Sequence, residues 1–352
     1  MLFKKNIFLL ILQVLSSQIV LSQISNKVYN SKGSEKTVYS CEYNGSKACL
    51  LEYKNLLEKK YLNEKFILQN FSHPNIITLI DFNDNNLTLI EEHGELSLAN
   101  LIEAICEAQF IDIDPISFLK FKLKILIDII TGILFLHNKN YIHKDLKPEN
   151  VILFGVKKLA DEKFKLNNPE DFVTAKLIDF SFTKQRDKKS IFCGSLAYTS
   201  YRQFLEDCGA SFIDDIWAFA VIGYELINEV NIGEILEQIF KSENKPMETR
   251  NDFKNNMKEL IFSGWIPPKI PTETDNEIVI KYTNKLNDLF EKCWSRNDKK
   301  IPTTEYILNK LNNYLNKLKS INSNLTEYFA PNEFEDLPDL SESLIKSSSE
   351  EN

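Results

Sequence analysis

The chain is poor in the residues on which stapled and fibrous proteins depend. Its 352 residues include 6 cysteines, 10 glycines and 11 prolines. So few cysteines exclude a disulfide-dense scaffold, and their spacing contains no CxxC pair of the kind that holds structural zinc. Too little glycine and proline are present for a collagen-like chain. Positive charge is also short, with 42 Lys and Arg against 50 Asp and Glu, a net charge of −8. No broad basic surface therefore directs the chain to nucleic acid. Long apolar runs are missing beyond the first residues, which excludes a many-span membrane protein, and no stable membrane span is expected. What is there is 43% hydrophobic and 11% aromatic sequence, enough for one large domain or two lobes.

Residues 1–25 have the layout of a secretory signal. Lys4 and Lys5 precede an apolar stretch from Ile7 to Leu15, and Val20-Leu21-Ser22 would suit a signal peptidase. On that reading the protein enters the secretory pathway. If the segment is instead the start of the folded domain, interrupted by Gln13 and Gln18, the location is cytoplasmic.

Beyond the leader, two strands, Thr37–Tyr43 and Lys47–Tyr53, flank Asn44-Gly45, a two-residue hairpin signal. A helix is expected over Leu57–Phe71, then strands over Ile76–Phe82 and Leu87–Glu91. From Leu96 onward the pattern is helical, with long buried helices over Phe118–His137 and Asp214–Ile227. Residues 319–352 are acidic and Ser-rich and read as a disordered tail. Strands with one helix, followed by a helical body, predict an α+β domain of two lobes over about 28–318.

The segment richest in chemistry is Tyr141-Ile142-His143-Lys144-Asp145-Leu146-Lys147-Pro148-Glu149-Asn150. It closely resembles the catalytic loop of the eukaryotic protein kinases, H-R-D-x-x-x-x-N, and Ile178-Asp179-Phe180-Ser181 resembles their D-F-G segment. The resemblance continues in family order. Glu64-Lys65-Phe66-Ile67-Leu68 with His73-Pro74-Asn75-Ile76 is similar to the family's helix αC and the loop after it. Asp215-Ile216-Trp217 is similar to its helix αF, and Cys293-Trp294-Ser295-Arg296 with Pro302-Thr303 to its late C-lobe. This implies a two-lobed kinase fold, with a small β-rich N-lobe and one main helix over about 28–93, and a larger α-helical C-lobe over about 94–318. By the same resemblance, Asp145 accepts or orients the proton of a substrate hydroxyl, Lys147 neutralises the transferred phosphoryl group, and Asn150 and Asp179 hold Mg²⁺ or Mn²⁺ on ATP. Lys147 in this position resembles the Ser/Thr class.

Departures from the family decide what this chain does. Aligning Ala48 with the alanine of the V-A-I-K strand puts Leu50 where the ATP-gripping lysine belongs, and a slip of one residue puts Leu51 there. Of the glycine-rich loop only Gly33 survives, and Lys36 takes the place of its third glycine. With Val38 two residues on, the string resembles that of the with-no-lysine (WNK) kinases, in which a lysine from this loop reaches the same site. The resemblance implies that Lys36 meets Glu64 and the phosphates, against the simpler reading of a solvated strand lysine. Lys144 replaces the loop arginine, Ser181 the D-F-G glycine, and Ser200-Tyr201-Arg202 the A-P-E sequence. The arginine that pairs with the A-P-E glutamate is Ile301 here, so both partners of that pair are expected to be missing. Ser195 retains a hydroxyl suited to contact with Asp145 and Lys147. Thr183 and Ser190 are candidate phosphorylation sites, residues 157–172 an inserted surface loop, and Cys41 and Cys49 could face each other across the first hairpin.

Two functions follow from the resemblance. One is an ATP-dependent protein Ser/Thr kinase that transfers the γ-phosphoryl group to a protein substrate, with an activator or regulatory partner. The other is a catalytically inactive kinase fold serving as a binding or allosteric module. Retention of Asp145, Lys147, Asn150 and Asp179 favours the first.

Overall fold

A computed structural model describes residues 24–32, 35–107, 114–156, 173–189, 194–205 and 208–328. Gly33, Ser190 and the loop over 157–172 lie outside these residues, as do the leader up to residue 23 and the chain after residue 328.

The N-lobe is an antiparallel sheet of five strands in the order β1-β2-β3-β5-β4, formed by β1 (Ile24–Lys32), β2 (Lys36–Tyr43), β3 (Ser46–Tyr53), β4 (Leu79–Asn83) and β5 (Thr88–Glu92). Asn44 and Gly45 both take positive φ, +51° and +78°, as a type I′ hairpin turn requires. That turn pairs Tyr43 with Ser46 and keeps the register unbroken to Lys36 opposite Tyr53. The expected strand from Ile76 starts later, at Leu79. Ile76 instead makes a parallel bridge to Leu177 of the other lobe.

Strand alternation gives the sheet two apolar faces. Cys41, Tyr43, Ala48, Leu50 and Ile90 form a small separate cluster on the outer face. Leu51, Tyr53 and Leu89, with half-buried Val38, face the other way and join the main core under helix α1 (Glu58–Asn70). Leu50 therefore does not stand at the lysine position. Leu51, one residue on, shares the face of Lys36. Cys41 is paired with Ala48, so the adjacent Cys49 points to the opposite face, and both thiols are free.

The C-lobe contains helices α2 (Leu98–Cys106), α3 (Pro115–Asn138), α4 (Phe212–Asn228), α5 (Ile232–Ser242), α6 (Arg250–Phe262), α7 (Glu277–Cys293) and α8 (Thr304–Tyr328). Helix α3 starts at Pro115, behind the Asp114 carboxylate that accepts from Ser117 N–H, a favourable cap. Helix α4 is buried over nearly its whole length and is closed by a capping box between Ser211 and Asp214. Phe219 and Phe290 meet edge to face where α4 packs on α7. Helix α8 continues to Tyr328, past residue 318, so the first part of the expected tail is helical.

Short strands line the cleft floor: β6 (Leu96–Ser97), β7 (Tyr141–Ile142), β8 (Val151–Phe154), β9 (Thr174–Leu177) and β10 (Lys184–Gln185). The lobes are joined by His93–Glu95 between β5 and β6. A Cβ at Gly94 would run into Ile152 Cγ2, so this crossing admits no side chain unless Ile152 shifts. No helix of the described residues is long and apolar enough to cross a membrane.

Candidate active site

The loop between β7 and β8 carries His143 to Asn150, and a buried carboxylate on α4 holds its backbone. Asp215 accepts from His143 N–H at 2.9 Å and Lys144 N–H at 3.0 Å, and contacts His137 Nε2 at 3.0 Å. Burial alone would raise the Asp215 carboxyl, but these partners lower it below the usual carboxylate range. Lys144 has φ +73°, costly for a lysine, and the two bonds to Asp215 hold the backbone on either side of that strain.

Asp145 is thereby presented at the cleft. Its Oδ1 accepts from Ser195 N–H at 3.1 Å, with Ser195 Oγ at 3.5 Å, and its Oδ2 lies 3.7 Å from Lys147 Nζ. The Asn150 side-chain amide donates to Asp145 O at 2.7 Å, which fixes the two site residues relative to each other. Gly194 has φ +92°, and a Cβ there would meet Lys144 O at 2.9 Å, so the chain passes the loop too closely for any other residue. Burial raises the pKa of Asp145, and Lys147 opposes that rise.

Lys36 leaves β2 and crosses the cleft. Its Nζ lies 2.9 and 3.0 Å from the two oxygens of Glu64, on α1, and 3.2 Å from Asp179 Oδ1. It also reaches Tyr53 Oη at 3.2 Å. Burial disfavours the ammonium, but Asp179 and Glu64 outweigh it and raise its pKa, so Lys36 is a buried cation and not a solvated strand lysine. The same lysine holds Asp179 at about 2 against the upward effect of burial. Glu64, fully buried, is raised to about 7 by desolvation, with Lys36 drawing it back. Asp179 itself takes φ +62°.

Lys36, Glu64, Asp145, Lys147, Asn150 and Asp179 thus line one cleft, with Val38 on the sheet face above. Asp179 and Asn150 present a carboxylate and an amide, hard oxygen donors that fit Mg²⁺ or Mn²⁺, and one or two such ligands suffice where phosphates complete the shell.

Other expectations are corrected by burial and pairing. Thr183 is 1% exposed and its hydroxyl has no hydrogen-bond partner, so it is inaccessible to a modifying enzyme in this conformation. Lys144 offers no free cation to a phosphorylated segment, because its Nζ is sealed against Asp214 Oδ2 at 3.0 Å, with both side chains 2% exposed. Ser200 Oγ donates to the other oxygen of Asp214. The pair expected to be missing near Ser200-Tyr201-Arg202 is present with its charges exchanged, since Arg202 and Tyr201 both bond the Asp298 carboxylate. Sequence reasoning also missed Asn63 of α1, whose side-chain amide donates to the carbonyls of Phe180, Ser181 and Thr183 at 2.8, 3.2 and 3.0 Å.

Comparison with known proteins agrees with this fold. The model of the protein kinase domain matches residues 32–311. Among curated relatives, the chain is 26% identical over 322 residues to the probable serine/threonine-protein kinase gdt2 of Dictyostelium discoideum, covering 88% of this chain and 17% of that protein. It is 34% identical over 163 residues to the probable serine/threonine-protein kinase gdt9 of the same organism, covering 44% and 10%. It is also 30% identical over 195 residues to the inhibitor of nuclear factor kappa-B kinase subunit alpha of Gallus gallus, covering 51% and 23%. The chain spans about a sixth of the length of the first of these relatives. With a domain match over most of its length and the two-lobed fold around this cleft, the chain belongs to the protein kinase family.

Proposed function

We propose that this chain is an active, ATP-dependent protein Ser/Thr kinase in which Lys36 replaces the missing strand lysine. The observation that carries this reading is the contact of Lys36 Nζ with Glu64 at 2.9 Å and Asp179 at 3.2 Å. A cation between those two carboxylates is positioned to take phosphate oxygens at the mouth of the cleft. Leu51, on the same sheet face, packs into the core and supplies no charge.

In this reading Asp145 accepts a hydrogen bond from the substrate hydroxyl and aligns it for in-line attack on the γ-phosphorus; as the new O–P bond forms, the bond to the β,γ-bridging oxygen breaks, ADP leaves, and the hydroxyl proton passes to the Asp145 carboxylate. Ser195 and Asn150 hold the Asp145 carboxylate and backbone in place for that step. Lys147 stabilises charge on the group being transferred. Asn150 and Asp179 would hold the divalent cation, which when bound neutralises the phosphate oxygens. Lys147 beside the loop aspartate and the names of the relatives gdt2 and gdt9 support a Ser/Thr hydroxyl as acceptor.

The test is ATP-dependent phosphate transfer by the purified chain onto Ser/Thr and Tyr peptides, with Mg²⁺ and with Mn²⁺. Transfer to Ser/Thr that vanishes in Asp145→Asn supports the reading. A folded protein that binds nucleotide but transfers nothing, alone or after incubation with cell extract, overturns it in favour of an inactive module.

A further inference from the structure

The peptide unit between Gly194 and Ser195 is held at both of its edges. Its N–H donates to Asp145 Oδ1 at 3.1 Å. Its carbonyl accepts from Arg250 Nη2, on helix α6, at 2.9 Å. In a trans peptide the C=O and N–H point in opposite directions from one rigid plane, so a group that fixes the carbonyl also aims the N–H.

This plane is the weak point of the contact with Asp145. Gly194 is confined to glycine by its close pass over Lys144 O, and glycine resists rotation of the plane that follows it least of all residues. The chain just beyond is already fixed, since Ser195 O accepts from Tyr198 N–H and from Thr199 Oγ1, each at 3.0 Å. A turn of the Gly194–Ser195 plane would withdraw the N–H from Asp145 and bring a carbonyl oxygen toward the carboxylate. A guanidinium on the carbonyl opposes that turn with a charge-assisted hydrogen bond. It also polarises the peptide, and hydrogen bonds linked in this way strengthen one another, so the N–H becomes the better donor to Asp145.

Arg250 is well placed for this task because its helix is anchored at both ends. It is the first residue of α6, behind a capping box in which Asp252 N–H donates to Thr249 Oγ1 at 3.1 Å and Thr249 N–H to Asp252 Oδ2 at 3.0 Å. Asn256 Nδ2 donates to Pro246 O at 2.7 Å and ties the incoming chain to the helix. At the far end Arg296 Nε and Nη2 donate to Ile261 O and Trp265 O at 2.8 and 2.9 Å. Between these ends α6 packs along Leu196–Tyr198 and Tyr201–Phe204.

We propose that Arg250 is a positioning residue for phosphate transfer, locking the Gly194–Ser195 peptide so that its N–H meets Asp145. This inference rests on the kinase reading of the cleft. Its test is steady-state kinetics, thermal melts and hydrogen exchange of the full chain, of Arg250→Met and of Arg250→Lys. In Arg250→Met kcat should fall about 10- to 100-fold, the scale of a small misplacement at the reacting group. The KM for ATP and the melting temperature should stay near wild type, because the Arg250 side chain is exposed. The peptide over Ser195–Ser200 should exchange its amide protons faster in Arg250→Met. Arg250→Lys keeps a cationic donor and should recover much of kcat. An unchanged kcat or an unchanged exchange in Arg250→Met overturns the role of Arg250 while leaving the kinase reading intact. A fall in kcat matched by a lower melting temperature or a higher KM for ATP, and not recovered by Arg250→Lys, marks a merely structural residue and overturns it equally. Wild-type protein that transfers no phosphate overturns the kinase reading and this inference with it.

Discussion

Lys144 and Lys36 are both set against carboxylates, and they stand in opposite situations. Lys144, behind the catalytic loop, meets Asp214, whose second oxygen is taken by Ser200, and the pair is closed off from solvent. Lys36, with 12% of its side chain exposed at the cleft, faces Glu64 and Asp179 directly and feels Glu91 beyond them. The first site is matched and sealed, so its charge is spent within the fold. The second has more acid than base and an opening, an arrangement that stays responsive to protons, cations and phosphates.

The largest effect should come from the open site. Lys36→Met should lower kcat for phosphate transfer by about 10²–10³-fold, the scale of removing one group aimed at developing charge. Adding Leu51→Lys should restore part of that loss, because residue 51 shares the face of Lys36, whereas Leu50→Lys should restore none. Steady-state kinetics of the four proteins decides it, and full activity in Lys36→Met would remove the functional difference between the two lysines.

The sealed site should register in stability. Asp214→Ala leaves Lys144 buried without its partner and should cost about 3–5 kcal/mol in urea unfolding. The double change Lys144→Met with Asp214→Leu should cost far less. If the single and double variants are equally unstable, the pair does not act as a matched unit.

A third test examines the acid surplus around Lys36. The Glu91 carboxyl is raised in the folded protein from an ordinary value of 4.5 to about 8. The stability linked to that group is therefore full below pH 4.5 and lost as pH rises towards and through 8. Thermal melts should show Glu91→Gln gaining on wild type between pH 5 and pH 9, by about 1–3 kcal/mol. Parallel profiles would mean that the surplus is relieved some other way. Asp179 runs in the opposite sense, and its contribution disappears only as pH falls below 4 towards about 2.

The smallest effect belongs to a third ion pair, half-open to solvent. Arg202→Ala should cost about 0.5–1 kcal/mol, since exposed pairs are screened. Exchanging the two charges as Arg202→Asp with Asp298→Arg should recover part of it in a double-mutant cycle.

The sequence was most legible where the chemistry is local. Asn44-Gly45 marked its hairpin because few other dipeptides tolerate two positive φ values. The loop over His143–Asn150 and Asp179 could be recognised because the family's motifs fix residue type as well as spacing. The face of β3 was misread, with Leu50 taken before Leu51, since adjacent leucines carry no alternation. The turn nonetheless contained the answer: a two-residue hairpin that pairs Tyr43 with Ser46 must pair Val38 with Leu51 and Lys36 with Tyr53. Thr183, Glu91 and Arg202 were beyond reach, because burial and the exchange of a charged pair depend on residues up to about a hundred positions away. The boundary at 318 failed for a milder reason, since polar sequence can still extend a helix already anchored on α3.

Asn63 gives the cleft a mechanical property. Its amide holds three backbone carbonyls shortly after Asp179, from the position next to the glutamate that grips Lys36. At the other end of α1, Ile77 N–H and Leu177 N–H stitch the following loop to the floor strand. Helix and segment are therefore geared: the helix cannot swing outward while the segment stays still. Probes placed at either end should relax with the same rate constant, and the cleft should pass between its forms as a single click rather than by a gradual slide.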